Sequence, residues 1–405
     1  MNATTGYFGH VLFIVYSLLL CCLFFKRLIT RVFVLTGLLF GSFAPLYAST
    51  INNHSLSATF FLIILFHSYN IRYRNGGIFQ YIAVGLLSGL LPTIDLPSIA
   101  FSFAILAWLA NGNIKRTCLY ALPFFLLPIG GNFLLNYLSI GSYLPPYLGG
   151  GGKVTYFFPG SHWNNPGGMD GLKEPKWFYF FHMTLGHNGI FSMTPLCIIG
   201  LFMLMKRTAS NEKIFNILLL ITVIITTVFY VFKTNNYGGV CVGFRWMIPV
   251  TTLLILWSGW FIETKQSQFR IVSYILCISI AFAHLQNNPD PWRSSRWHHA
   301  FMPSVQWLIG STVDARDGTL FRSTNVKELK SIASVVVADP GVTLDNEKGH
   351  NWTRWFSTDS PDATGDHESF EILLSEGHSI CDKPLAIECK TITGTPFSET
   401  GQEIN

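Results

Sequence analysis

The sequence is poor in charged residues, and acids are nearly absent from its first two thirds. Only 12% of the 405 residues are charged, half are hydrophobic, and the mean hydropathy is +0.38. Of 22 acidic residues, 17 follow residue 286, leaving five before it: Asp95, Asp170, Glu174, Glu212 and Glu263. This composition argues against a soluble globular protein and predicts a polytopic membrane domain, 1–286, followed by a polar domain, 287–405.

Several function-bearing patterns are also missing. The chain has no phosphate-binding loop, no GxGxxG and no Cys/His zinc spacing, which removes the usual sequence support for nucleotide, dinucleotide and zinc sites. The tail carries 17 acids against 10 Lys and Arg, so nucleic acid is not an expected partner. No basic residue precedes the first apolar run, which argues against a signal peptide and for an outward N-terminus.

What the chain does have is a series of apolar runs of near-spanning length. They lie at about 7–25, 31–48, 55–70, 78–94, 96–111, 117–139, 189–205, 214–232, 246–262 and 270–286. Every second connecting loop is basic: 26–31, 70–74, 113–116, 206–213 and 263–270 hold 12 of the 17 basic residues in this part. The positive-inside rule then places these loops in the cytoplasm and the N-terminus and tail outside.

We therefore predict an all-α polytopic membrane protein of about ten transmembrane helices, with a small mixed α/β domain outside the cytoplasm. In the tail, SIASVVVADP predicts a strand and clusters such as STDSPDATGDHE predict loops. If the tail lies outside, a disulfide between Cys381 and Cys389 is expected.

Polar residues collect at the predicted outer ends of the helices. STINNHSLSA places Asn52, Asn53 and His54 between two apolar runs, where unpaired polar groups are costly. Asp95 lies in the turn LPTIDLPS, next to prolines. The simpler interpretations are helix-capping turns at both places, and a cap does not exclude a functional role.

Two further outer segments contribute candidate residues. LGHNGIFSMTPL contains His187, and KTNNYGGVCVGFRW contains Lys233, Tyr237 and Arg245. The glycines of the second segment allow tight turns or close approach to a ligand. Arg245 offers a planar fork for phosphate or carboxylate, and interfacial snorkelling is the alternative.

The motifs INNHSLSA, GLLSGLLPTIDLPS, LGHNGIFSMTPL and NYGGVCVGFRWMIP resemble those of bacterial GT-C class membrane glycosyltransferases. The resemblance is greatest to the dolichyl-phosphate-mannose-protein mannosyltransferase-like group. It covers most of 1–286 and not clearly the tail. It implies an enzyme of the bacterial inner membrane that moves a sugar from a polyprenyl-phosphate donor to a glycan, lipid or protein acceptor.

On this resemblance, Asp95 or His54 is expected to act as the base or to orient it. Arg245, with Lys233 as a second choice, is expected to hold the donor phosphate. Asn52, Asn53, His187 and Tyr237 are expected to contact substrate. The resemblance fixes no cofactor: the cations that stabilise the leaving phosphate can come from Arg, from Lys or from a divalent metal ion.

The sequence departs from this family in one respect: it shows no first outer loop carrying an acid. The chain resembles a copy without the family's N-terminal helix and that loop. An inactive or truncated relative acting as a binding or assembly subunit is therefore one alternative, and a membrane transporter is another. Polar residues at helix ends and the lack of an internal repeat disfavour the transporter.

Overall fold

The computed structural model describes residues 2–48, 50, 52–145, 175–186, 188–207, 210–234, 237–238, 241–284 and 291. The chain divides into two units, Met1–Arg296 and Trp297–Asn405. The second unit lies outside the described residues, and so does the mixed α/β domain predicted there.

Within the described residues the first unit is mostly helical and contains no strand. Its helices are α1 Asn2–Phe24, α2 Leu28–Phe40, α3 Asn53–Tyr73, α4 Ile78–Ile94, α5 Ile99–Arg116, α6 Leu122–Ile140, α7 Lys176–Thr184, α8 Ile190–Met193, α9 Leu196–Lys206, α10 Ser210–Lys233, α11 Ile248–Thr264 and α12 Phe269–His284. Short 3₁₀ helices precede α5 and α11, at Leu96–Ser98 and Arg245–Met247, and another lies at Ala44–Tyr47.

Each of the ten predicted apolar runs contains a helix, although the bounds differ. Five helices in the described part are long and apolar enough to cross a membrane, and one of them runs from Leu96 to Ile140 through a kink at Asn113. α2, α4 and α9 are apolar but shorter. These helices agree with a membrane protein, and the number of spans stays a prediction.

Two predicted runs are interrupted by proline-containing segments. The run 31–48 forms α2 only as far as Phe40, and a separate 3₁₀ helix then begins at Ala44 with Pro45 in its first turn. The run 189–205 divides into α8 and α9 at Thr194 and Pro195. Proline removes a backbone donor and restricts the residue before it, so neither run continues as one helix.

α11 is the central helix of the bundle. It packs against α9, α2 and α3, and nearly every residue from Ile248 to Ile262 is buried. α4 packs against α3 and α6, α1 against α3, and α10 against α5.

The α4–α6 contact depends on two glycines. A Cβ on Gly85 would collide with the Ala121 carbonyl, and one on Gly89 would collide with the Phe125 carbonyl. This spacing of small residues lets two apolar helices approach backbone to backbone.

The basic loops meet at one end of the bundle. Arg27 donates a hydrogen bond from Nη1 to Gln266 Oε1 at 3.1 Å, which joins the loops after α1 and α11. The Arg207 guanidinium, after α9, lies 3.2 Å from the centroid of the Trp260 ring near the end of α11. Three of the five basic loops therefore share one end, as their alternation requires. Which side of the membrane they face stays a prediction.

Candidate functional site

Polar groups at the opposite end of the bundle are organised by the turn that begins α3. Asn52 has extended backbone angles and caps the helix: its Oδ1 accepts the backbone N–H of His54 at 2.8 Å and that of Ser55 at 3.4 Å. A helix start leaves such N–H groups without intrahelical partners, so the cap stabilises the turn. The capping interpretation of STINNH is therefore confirmed for Asn52.

Asn53 links this turn to the end of α4. Its Nδ2 donates to the carbonyl of Ile94 at 3.2 Å, at a helix terminus where carbonyls lack partners. Asp95 lies between the end of α4 and the 3₁₀ helix Leu96–Ser98. Its backbone carbonyl accepts the N–H of Ser98 at 2.9 Å. The Asp95 side chain makes no capping bond to the backbone, so the carboxylate is directed elsewhere.

The Asp95 carboxylate meets His54. His54 Nδ1 and Asp95 Oδ2 lie 3.3 Å apart, with side-chain exposures of 8% and 3%. The two atoms are in contact without hydrogen-bond alignment. The two candidate catalytic residues of the sequence thus form one buried pair, between helices that are far apart in the chain.

Two serines that the sequence analysis missed complete this cluster. Ser98 Oγ donates to Asp95 Oδ2 at 2.7 Å, and Ser57 Oγ lies 2.7 Å from Ser98 Oγ. Because the Ser98 hydroxyl donates its one hydrogen to Asp95, Ser57 is the donor in the bond between the two serines. Ser98 follows Asp95, and Ser57 follows His54, by three residues, which is the spacing that could have revealed them.

The segment that precedes α11, described at 237–238 and 241–247, lies beside His54. The ring centroids of Trp246 and His54 lie 6.5 Å apart, and Trp246 stacks on Tyr230 at 5.2 Å. Half-buried Arg245 donates from Nε to the carbonyl of Gly238 at 2.9 Å. This hydrogen bond holds the Arg245 side chain in place. Its neighbour in the chain, Trp246, is the residue whose ring faces that of His54.

Glycine and buried hydrogen bonds fix the path of this segment. Gly238 and Gly243 have φ of 96° and 70°, which glycine adopts without strain. The Tyr47 hydroxyl donates to the carbonyl of Val242 at 2.9 Å. The tight turning predicted from the glycines is confirmed at these two positions.

The other predicted contact residues lie in different environments. Tyr237 is fully buried, and its ring centroid lies 4.8 Å from that of Tyr179. Lys233 is exposed at the last residue of α10, and His187 lies outside the described residues. The structure therefore gathers Asn52, Asn53, His54, Asp95 and Arg245 around one end of the bundle, and the substrate contacts of all these residues stay predictions.

The described residues of this cluster do not form a complete metal site on their own. No group of three or more His, Cys, Asp or Glu side chains that could hold a metal occurs in the part of the chain that the structure describes. His54 and Asp95 give two ligands, so a divalent ion here would need water or substrate oxygens as well, and its presence stays a prediction.

Comparison with known proteins bears on the tail. A family model described as Mucin-2 protein WxxW repeating region matches residues 352–405, a stretch that begins with the spacing Trp352-Thr-Arg-Trp355. Human "Cartilage intermediate layer protein 1" is 37% identical over 71 residues, 17% of this chain and 6% of that protein. The mouse protein of the same name is 35% identical over 60 residues, which is 15% of this chain and 5% of that protein.

The chain thus spans only about 6% of the length of the curated relatives it matches. No solved structure matches it. The family model covers part of the polar tail and none of residues 1–286, so the helical unit has to be interpreted from its own geometry.

Proposed function

We propose that this chain is a membrane glycosyltransferase that moves a hexose from a polyprenyl-phosphate donor to a hydroxyl acceptor at the outer face. The observation that supports this most is the buried His54–Asp95 pair at the end of the bundle opposite the basic loops. It supplies a base with an orienting carboxylate, and the sequence motifs around it resemble those of GT-C enzymes.

In this proposal His54 is the general base. Nδ1 faces Asp95, so Nε2 is the ring nitrogen that takes the proton from the acceptor hydroxyl. The acceptor oxygen then forms a bond to the anomeric carbon, and the bond from that carbon to the phosphate oxygen breaks. The electron pair leaves with the polyprenyl phosphate, which is already a good leaving group.

Arg245 provides the cation for this leaving phosphate. Its Nε is held by the carbonyl of Gly238, and its neighbour Trp246 lies against His54. We assign the phosphate to Arg245 because a planar guanidinium matches the geometry of phosphate oxygens. Charge developing on the leaving group would then be stabilised without reorganisation of the site.

The test is sugar transfer in proteoliposomes that contain polyprenyl-phosphate hexoses with a radioactive sugar. His54→Ala and Asp95→Asn should each lower transfer by roughly 10²–10⁴, the usual contribution of a general base. His67→Gln, on the same helix α3 but remote from its first turn, is the matched control and should retain transfer. Transfer that persists in His54→Ala refutes this assignment of the base.

The same assay separates the two remaining interpretations. If the wild-type chain binds the labelled donor but transfers nothing to any acceptor class, it is a binding or assembly subunit. If the labelled donor or its free sugar instead crosses the bilayer, the chain is a transporter.

A further inference from the structure

An open cleft with a cavity volume of about 70 Å³ lies beside the turn that begins α3. It lies among α1, the 3₁₀ helix Ala44–Tyr47, α3 and the start of α11. The residues that matter here are Gly9, Phe13, Asn52, Ser55, Leu56 and Ile248. We refer to it as the α1–α3 cleft.

The wall of the α1–α3 cleft is mostly apolar, and no Lys, Arg, Asp or Glu is found among its described lining residues. His10 is the one basic side chain among these lining residues, so an anionic head group would meet no permanent positive charge there. The charge pattern therefore fits an uncharged ligand, which separates this cleft from the Arg245 side of the site.

Two buried polar atoms of the wall lack hydrogen-bond partners. They are Asn52 Nδ2 and Ser55 Oγ. Asn52 as a whole is only 5% exposed. Native proteins leave few buried donors unsatisfied, so a ligand that supplies a partner would be favoured. An amide N–H only donates, whereas a serine hydroxyl donates and accepts. A ligand hydroxyl suits both, because it can accept from Asn52 and donate to Ser55.

The apolar part of the cleft is suited to a hydrocarbon chain. Phe13, Leu56 and Ile248 line it. Neighbouring α1 side chains Phe8 and Val11 are 64% and 54% exposed, as expected of residues that contact acyl chains. A lipid could therefore enter from the bilayer beside α1 and keep its chain in apolar surroundings.

We propose that the α1–α3 cleft binds a long-chain lipid with an uncharged hydroxylated head, and that this lipid is the sugar acceptor. The role as acceptor rests on the proposed function. The argument for position is that Asn52 shares the wall of the cleft with Ser55 and caps the backbone of His54 at 2.8 Å. A hydroxyl held by Asn52 and Ser55 thus lies on the turn that carries the base.

The test is photolabelling of the purified full chain in proteoliposomes with a diazirine analogue of hexadecanol. Label is expected on peptides from the first half of α1 and the first turns of α3. Gly9→Phe should fill the cleft, since a Cβ there lies 3.6 Å from Leu56 Cδ1, and should lower labelling about tenfold or more. Gly131→Phe is the matched control, because Gly131 is exposed on α6 with open space around it.

Competition identifies the head group. Unlabelled hexadecanol should displace the probe at least as well as hexadecyl phosphate does. Asn52→Asp keeps the oxygen that caps α3 but removes the amide donor, and Ser55→Ala removes the hydroxyl. Each should weaken hexadecanol competition about fivefold while the elution profile and unfolding midpoint stay near wild type.

Equal labelling of Gly9→Phe and Gly131→Phe overturns the binding site. A tenfold preference for hexadecyl phosphate overturns the uncharged head group and assigns the cleft to the donor. Labelling without any sugar transfer supports the binding site and refutes the glycosyltransferase proposal. Sugar transfer to a protein or glycan acceptor by Gly9→Phe at the wild-type rate overturns the cleft's role and leaves the transferase standing.

Discussion

Replacement of Asp95 separates the structural from the chemical role of its carboxylate. The residue is 4% exposed, accepts the Ser98 hydroxyl at 2.7 Å and lies 3.3 Å from His54 Nδ1. Asp95→Ala removes the acceptor of the Ser98 hydroxyl and the carboxylate that faces the buried His54 imidazole. Asp95→Asn keeps an oxygen of nearly the same shape but removes the charge.

The magnitude follows from the partners left behind. A buried polar group without a partner costs about 1–3 kcal/mol, so loss of the acceptor of the Ser98 hydroxyl predicts a loss of about 1–3 kcal/mol for Asp95→Ala. Asp95→Asn still accepts from Ser98 and should cost about 1 kcal/mol or less. The α4 end is unaffected in both variants, because the backbone N–H of residue 95 bonds the carbonyl of Leu91.

The assay is a reversible SDS titration in mixed micelles, which gives the free energy of unfolding, beside the transfer assay. Asp95→Asn should keep most of the stability and lose transfer. Ser98→Ala combined with Asp95→Ala should cost less than the sum of the two single changes, since both remove the same hydrogen bond. Two results would refute the buried cluster. One is an Asp95→Ala variant as stable as wild type, and the other is a double variant whose loss of unfolding free energy equals the sum of the two single losses.

The other predictions concern packing, charge and topology. Gly85→Leu should destabilise the bundle by about 1–3 kcal/mol in the same titration, because its side chain meets the Ala121 carbonyl, whereas Gly130→Leu on the open face of α6 should not. Arg245→Lys keeps the charge but loses the Nε bond to Gly238, so donor affinity measured by filter binding should fall about tenfold, and unchanged affinity would contradict the assigned phosphate contact. Reporter fusions after Ile140 and after Arg116 should report opposite sides of the membrane, with the second inside. Finally, if the tail is outside, mass spectrometry of the native protein should find Cys381 joined to Cys389, and free thiols at both positions would contradict that prediction.

Much of the helical architecture could be predicted from the sequence, because bilayer thickness and the cost of unsatisfied backbone groups leave few arrangements for long apolar runs. All ten runs contain helices. Their ends were less predictable: α2 stops at Phe40 and α9 begins at Leu196. Hydropathy averages over a window and does not register where proline interrupts the backbone.

In the candidate site, too, some features could be predicted from the sequence and others could not. The sequence by itself determined that Asn52 and Asp95 lie at helix ends, because capping residues and prolines act on their immediate neighbours. It also separated the basic loops from the polar ends, since charges are expensive in hydrocarbon. Only the tertiary structure decided that Asp95 faces His54, that Ser98 and Ser57 complete their cluster, and that Tyr237 packs in the interior. These contacts join distant parts of the chain, and their geometry follows from how α3, α4 and the segment before α11 pack together, which no local pattern encodes.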